Sequence, residues 1–269
     1  MNFIASPEIV VALSLSGRLS FNPLKDFLVD DQGNEFKLTP PKSTDIPKNG
    51  FISPENVFIP PSSNLEVDVI VSPESKRLQL LEPFSHWNVK KYSNITILAK
   101  VNGKCTTDHI SPAGYWLRYR GHIDNISDNL LLGAFNSFTK NIGTGINNLT
   151  NDIGKFAEIA RSYKSHDIPW LIIGDHNYGE GSSREHAAMS PRHLGCVAVI
   201  AKSFARIHET NLKKQGVLAL TFNDETDYDK IKQSDQITIK DLNNFSENKT
   251  LVGIINHEDD TSEEIILIH

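Results

Sequence analysis

The residues best suited to chemistry are Ser182, Ser183 and Arg184, which close the stretch WLIIGDHNYGEGSSR from Trp170 to Arg184. Two adjacent hydroxyls beside a guanidinium, preceded by Gly179 and Gly181, describe a turn that bends closely and then presents polar groups. The stretch begins with four apolar residues and then Gly174-Asp175, the pattern of a short buried strand ending at a turn. REHAAM, after the serines, reads as the start of a helix. Strand, glycine turn and helix start together make an anion site, because the first helical N–H groups lack internal partners and the helix dipole favours negative charge there. The fork of Arg184 matches a carboxylate or phosphate. The stretch is therefore expected to be a carboxylate-binding active-site loop. A second reading stays open: Ser182 and Glu185 fit the S-x-x-E capping box, in which the two side chains satisfy orphan donors. Nucleotide and hydrolase motifs do not fit. No Lys follows the last glycine as in a P-loop, the third glycine of a dinucleotide turn is missing, and Gly181 directly precedes Ser182, so G-x-S-x-G is not formed.

Two further places carry candidate groups. In KCTTDHISPAG, Asp108 and His109 set an acid beside a base at the end of an expected strand, though the same residue types also favour a simple turn. In YRGHIDNISDN, Arg120 lies in a loop; a lone arginine is usually solvated, and Arg120 gains interest through Arg184. Two loop arginines suit a substrate with two or more carboxylates. Cys105 and Cys196 are the only cysteines, too few for a disulfide framework or a thiolate cluster, and both read most simply as small packing residues.

The elements that must position these groups follow from pattern. ITILAKV and RLQLLEPF read as strands, FAEIARSYKSH as a helix, and residues 136–155 as a polar, glycine-bearing loop. From 170 a regular alternation begins: a strand at 170–173, a helix near 183–189, a strand at 197–200, a helix near 204–214 capped by Ser203 and ended at Gly216, and a strand in VLALTF. This β-α-β-α-β order implies parallel strands with crossover helices. ITIKDL, TLVGII and EEIILIH add strands at the end. Ahead of all this, Ser6-Pro7-Glu8 opens a helix that Gly17 closes, and residues 20–75, punctuated by prolines, read as an extended connector. The expected division is 1–75 and 76–269. A connector that joins one helix to a domain implies further protein upstream.

Composition narrows the class. The chain has 269 residues, 39% hydrophobic and 22% charged, as expected of an ordinary globular protein. Its net charge of −6 argues against broad nucleic-acid binding. No apolar run reaches the ~18–20 residues of a membrane span. IVVAL near the N-terminus lacks the preceding basic residues of a signal peptide and is expected to be a structural helix.

Taken together, KCTTDHISPAG, YRGHIDNIS, GDHNYGEGSSREHAA and AKSFARIHETNLKKQG resemble the aconitase family, mitochondrial type, in order and spacing. SPEIVVALSLSG and RLQLLEPF also resemble family segments, so the similarity runs from Asn2 to about His269. The resemblance implies the C-terminal third of such an enzyme: the end of the third domain and a linker within 1–75, then the swivelling fourth domain in 76–269, an α/β, β/β/α barrel-like fold. It implies isomerisation of citrate and isocitrate through cis-aconitate at a [4Fe–4S] cluster. Ser182 would be the general base, Asp108 an orienting active-site acid, and Arg120, Ser183 and Arg184 substrate-binding groups. A serine is a poor base, so helix N–H groups and cations must stabilise its alkoxide.

Several departures accompany the resemblance. The family's cluster cysteines have no counterpart here, so the cluster is expected to be held by other domains and no metal by this chain. His176 stands where mitochondrial-type members usually carry an acid, and the family's last helix has no counterpart. The chain alone is expected to hold half an active site and to be inactive. The expected partners are a tricarboxylate and the cluster-bearing domains, in the same chain or another, with no membrane. Localisation is mitochondrial by resemblance, with no targeting segment expected in this sequence. Two alternatives stay open: a separate small subunit of a cluster-dependent hydro-lyase, and a non-catalytic RNA-binding module, which the acidic balance disfavours.

Overall fold

The computed structural model describes residues 4–42, 47, 49–51, 58–61, 68–182, 184–246 and 249–269. The chain divides into two compact units, 1–67 and 68–269. In the first, helix α1 (Pro7–Ser16) has proline in its first turn and ends at Gly17, whose left-handed φ of 67° lets its N–H reach the Leu13 carbonyl at 3.0 Å. The described residues after it form turns and one short antiparallel pair, β1 (Leu28–Val29) with β2 (Glu35–Phe36).

The second unit holds, in order, β3 (Ile95–Lys100), α2 (Thr107–Ile110), α3 (Ile123–Ile126), β4 (Thr144–Ile146), β5 (Ile153–Lys155), α4 (Phe156–Ser165), β6 (Trp170–Gly174), α5 (His186–His193), β7 (Cys196–Ala201), α6 (Arg206–Lys214), β8 (Leu218–Phe222), α7 (Asp227–Lys230), β9 (Gln236–Ile239), β10 (Leu251–Asn256) and β11 (Ser262–Ile268). Strands β3, β6, β7 and β8 pair in parallel. The sheet continues antiparallel through β11, β10 and β9 and returns to β3, closing a barrel. The mixed α/β barrel expected from the sequence is thus present.

Strand alternation divides the apolar residues into two cores. Ile97, Leu171, Ile173, Ile200, Leu220, Ile255 and Leu267 come from strands all round the barrel and fill its interior. Leu98, Ile172, Val199 and Ala219 point outward and are covered by Phe156 and Tyr163 of α4, Ala187 and Ala188 of α5, and Leu212 of α6. The expected β-α-β-α-β order is borne out, and it carries the site: the turns after β3 and β6 leave the same end of neighbouring parallel strands.

Several local expectations fail. RLQLLEPF is not a strand: it makes one bridge, Leu78 to Gly121, and Leu78, Leu80 and Leu81 stay more than half exposed. Pro83 and the lack of a neighbouring strand leave its carbonyls and amides without a ladder. Asp108 and His109 lie in the one-turn helix α2. There Thr106 Oγ1 accepts from the His109 amide, and His109 Nδ1 accepts from the Thr106 amide, both at 3.2 Å. Residues 136–155, expected as a loop, contain the hairpin β4–β5. Helix α5 begins at His186 with Glu185 at its N-cap position, so Ser182 lies outside it and the Ser182–Glu185 capping box does not form. Ala205, not Ser203, stands at the N-cap of α6; Ser203 instead accepts from the Asn177 amide at 2.8 Å through Oγ and from the Tyr178 amide at 2.9 Å through its carbonyl.

Candidate active site

The turn between β6 and α5 is held from both sides. On one side, Tyr178 bridges to Phe204; on the other, Glu180 bridges to Thr106, with the Gly179 amide on the Cys105 carbonyl at 2.8 Å and the Thr107 amide on the Glu180 carbonyl at 2.9 Å. Asp175, at the start of the turn, accepts from the Gly103 amide at 2.7 Å and the His176 amide at 2.9 Å, and pairs with Lys202 at 3.0 Å. Burial alone would raise its carboxyl, but the Gly103 amide, Lys202 and the His176 amide together bring it below the usual carboxylate value. Asp175 thus joins the ends of three parallel strands, a role its place in the sequence hides. His176 faces outward, 3.5 Å from Glu225.

The two glycines serve close packing within the protein. A Cβ on Gly179 (φ +81°) would lie 2.1 Å from the His208 ring, and one on Gly181 (φ +124°) would lie 3.0 Å from the Thr107 hydroxyl. That hydroxyl donates to the Ser182 carbonyl at 2.9 Å. Ser182 is therefore fixed through its backbone by α2, and it lines a cavity of about 530 Å³ together with Arg184 and His208.

Asp108 and Arg184, 76 residues apart, come together as a two-pronged ion pair. Nη1 of Arg184 donates to Oδ1 of Asp108, Nη2 donates to Oδ2 at 3.1 Å, and Nη1 also reaches the Ser111 carbonyl at 3.3 Å. The Arg184 hydrogen bonds hold the Asp108 carboxyl below its ordinary value. Arg184 is only 20% exposed at its side chain, so the pair sets the guanidinium in one plane. Ser183 lies outside the described residues.

Arg120 follows a short 3₁₀ turn (Gly114–Tyr119). Its carbonyl meets His186 Nε2 at 3.0 Å, which ties it to the first residue of α5. Arg120, however, lines a different cavity, of about 800 Å³, with Lys76, Arg77 and Arg118. The structure therefore unites Ser182, Asp108 and Arg184 and sets Arg120 apart in a basic pocket of its own.

Both cysteines are buried, and burial pushes the Cys105 thiol up to about 12 and Cys196 higher still. Among the described residues no three His, Cys, Asp or Glu side chains group as a metal site, and no described helix is long and apolar enough to cross a membrane.

Sequence reasoning missed Asp175, Thr107 and His208. For His208 a signal existed: it lies one helical turn before Leu212, on the buried face of α6.

The fold and the candidate site are those of a mixed barrel whose parallel strands end in a serine–arginine turn braced by a second loop, and comparison with known proteins gives the chain a family. Residues 95–225 match the model of the aconitase C-terminal domain, and the chain belongs to the aconitase family. It is 53% identical over 262 residues to the probable mitochondrial aconitate hydratase of Dictyostelium discoideum, covering 97% of this chain and 34% of that protein. Against the mitochondrial aconitate hydratases of Gracilaria gracilis and Saccharomyces cerevisiae the identities are 52% and 48%, each over 99% of this chain and 34% of the relative. The chain thus spans about a third of the length of the curated relatives it matches, namely their C-terminal third. The solved 3-isopropylmalate dehydratase of Methanocaldococcus jannaschii is similar at 22% identity and a TM-score of 0.40, covering 65% of this chain and 80% of that one.

Proposed function

We propose that this chain is the C-terminal part of an aconitate hydratase, acting on citrate, cis-aconitate and isocitrate in the mitochondrion, and that it supplies the base and the carboxylate clamps. The observation that carries the reading is Arg184, held by Asp108, lining one cavity with Ser182. In this reading the Ser182 oxygen takes the proton from the substrate carbon and later returns it, while Arg184 stabilises the developing negative charge and grips a carboxylate. Asp108 orients Arg184. Arg120, among Lys76, Arg77 and Arg118, grips a second carboxylate from its own basic pocket; Ser183 is assigned to substrate by resemblance alone.

The late start of α5 alters one part of the expected chemistry. Ser182 is four residues before the helix, and the amides of Ala187, Ala188 and Met189 are already bonded to the Arg184 and Glu185 carbonyls at 3.1, 2.9 and 2.7 Å. Stabilisation of the alkoxide therefore falls to Arg184 more than to the helix N-terminus. We assign the ligands of the family's [4Fe–4S] cluster to domains outside this sequence.

The test is reconstitution with a protein carrying the remaining two-thirds of a mitochondrial aconitate hydratase. The chain alone is expected to show no turnover, and the pair to restore it. In the pair, Ser182→Ala should abolish turnover while leaving citrate affinity largely intact. Arg184→Lys should weaken citrate binding roughly 10- to 150-fold, since an ammonium cannot replace the planar fork. A Ser182→Ala pair that turns over normally would falsify the assignment.

A further inference from the structure

The two arginines assigned to carboxylates line separate cavities, yet one side chain joins their supports. His186 opens α5, two residues after Arg184, and its Nε2 lies 3.0 Å from the Arg120 carbonyl. A carbonyl oxygen only accepts, so Nε2 carries the proton and donates. Seven residues later, at the end of α5, His193 Nε2 lies 2.9 Å from Oδ1 of Asp124 in α3. Residues seven apart stand two turns apart on one face of a helix, about 10 Å along its axis. The segment from Arg120 to Asp124 is therefore fastened to α5 at both ends. The Asp124 end is firm: Arg161 of α4 donates to Oδ1 through Nη1 and to the Asp124 carbonyl through Nη2, both at 2.8 Å. Burial alone would raise that carboxyl, but Arg161 and His193 bring it to about 2. From behind, Gly121 packs on Leu78, where a Cβ would lie 2.8 Å from the leucine side chain, and its carbonyl accepts from the Gln79 amide at 2.9 Å. His186 is the contact that sets Arg120 against the end of α5 nearest Arg184.

We infer that His186 is a positioning residue that fixes the spacing between Arg120 and Arg184, with α5 as the ruler along which that spacing is set. The inference rests on the reading of both arginines as carboxylate clamps given above. Thr107 and Asp108 of α2 hold Ser182 and Arg184, and neither of those bonds touches Arg120. His186 supplies the link, because the helix that it opens begins just beyond the guanidinium that Asp108 holds. Two clamps at a fixed spacing lose less freedom on meeting an acid of matching length than two independent arginines do. Without the His186 bond each arginine still meets a carboxylate, and the cost of bringing the two into register falls on binding.

The test is a double-mutant cycle on citrate affinity in the reconstituted pair, with amide hydrogen exchange of the full chain alone beside it. Arg120→Gln should weaken citrate about 10-fold, and His186→Leu about 3- to 10-fold. In the Arg120→Gln background His186→Leu should add less than about 2-fold, because it acts through Arg120. His186→Gln keeps an N–H donor of similar reach and should recover most of the loss. In the chain alone, His186→Leu should speed exchange of the His122 amide, bonded to the Tyr119 carbonyl at 2.8 Å, and leave that of Thr107, bonded to the Glu180 carbonyl at 2.9 Å, unchanged. His186→Asn, too short to reach the Arg120 carbonyl, replaces the leucine variant if that one fails to fold. Wild-type citrate affinity in His186→Leu, losses that add in full in the double variant, or unaltered His122 exchange each overturn the positioning role and leave the proposed function standing. Wild-type affinity in Arg120→Gln instead removes Arg120 from the proposed function, and the positioning role with it.

Discussion

The two halves of the barrel are built from the same kind of apolar strand and treated differently by the chain. In the parallel half, β3, β6 and β7 are buried at every position, because helices cover one face and the barrel interior takes the other. In the antiparallel half, β10 alternates buried and half-buried residues and β11 is exposed at five of seven positions. Asp175, Ser182 and Arg184 lie on loops of the parallel half, and Asp108 on the one-turn helix α2 that follows β3. Crossover connections release long turns at one end of neighbouring strands, where they can brace each other; tight hairpins such as that between β10 and β11 leave no length for this. Each half also holds a histidine displaced from its ordinary protonation, in opposite directions. Burial lowers His208 to about 4, while Asp235, 2.9 Å away, raises His257, assisted by Glu263.

The sharpest way to break this contrast is Gly179→Ala. Left-handed backbone costs a non-glycine about 1–2 kcal/mol and overpacking about 1–3, so thermal melts should fall by roughly 5–15 °C; a fall under about 2 °C would mean that the turn yields. Next comes acid. His208 takes up protons more readily unfolded than folded, so its contribution is complete above about pH 6.5 and lost as pH falls to about 4, roughly 3 kcal/mol in all. Urea melts at pH 7 and pH 5 should show the loss, and His208→Phe should flatten it; an unchanged pH slope in that variant refutes the assignment. Gly253→Ala, in the antiparallel half, sets its Cβ 2.9 Å from Ile265 and Leu267 side-chain atoms that can shift, and about 1 kcal/mol is expected. The smallest effect belongs to His257→Gln. The raised folded value means His257 stabilises fully below about pH 6.5 and loses that as pH rises through the folded value. The variant should therefore melt about 2 °C lower at pH 6 and less so at pH 9; a larger deficit at pH 9 contradicts the sign.

Much of this was legible locally. The apolar runs ITILAK, WLIIG, CVAVIA and LALTF appear as strands within a residue or two of their expected bounds, because a strand buried on both faces needs an unbroken apolar run. Helix α4 and the Pro7/Gly17 ends of α1 follow from amphipathic spacing and terminal chemistry of the kind that needs no distant partner. Two of the misses are places where a distant segment outbid a local preference. Ser182 and Ser203 have the composition of helix caps, yet α2 takes the carbonyl of one and the β6–α5 turn takes the hydroxyl of the other. Leu78, Leu80 and Leu81 have strand propensity but no neighbouring strand to complete a ladder.

The motif itself, GSSR after a buried strand with DHIS and RGH upstream, is a property of the sequence, since residue type and order alone carry the family resemblance. Tertiary structure decided which of these residues meet. Asp108 reaches Arg184 across 76 residues because parallel β3 and β6 release their turns side by side, while Arg120, also an arginine on a loop, lines another cavity. Gly179 shows the same division: its residue type announces a close approach, but only packing of α6 on the turn determines that what approaches is the ring of His208.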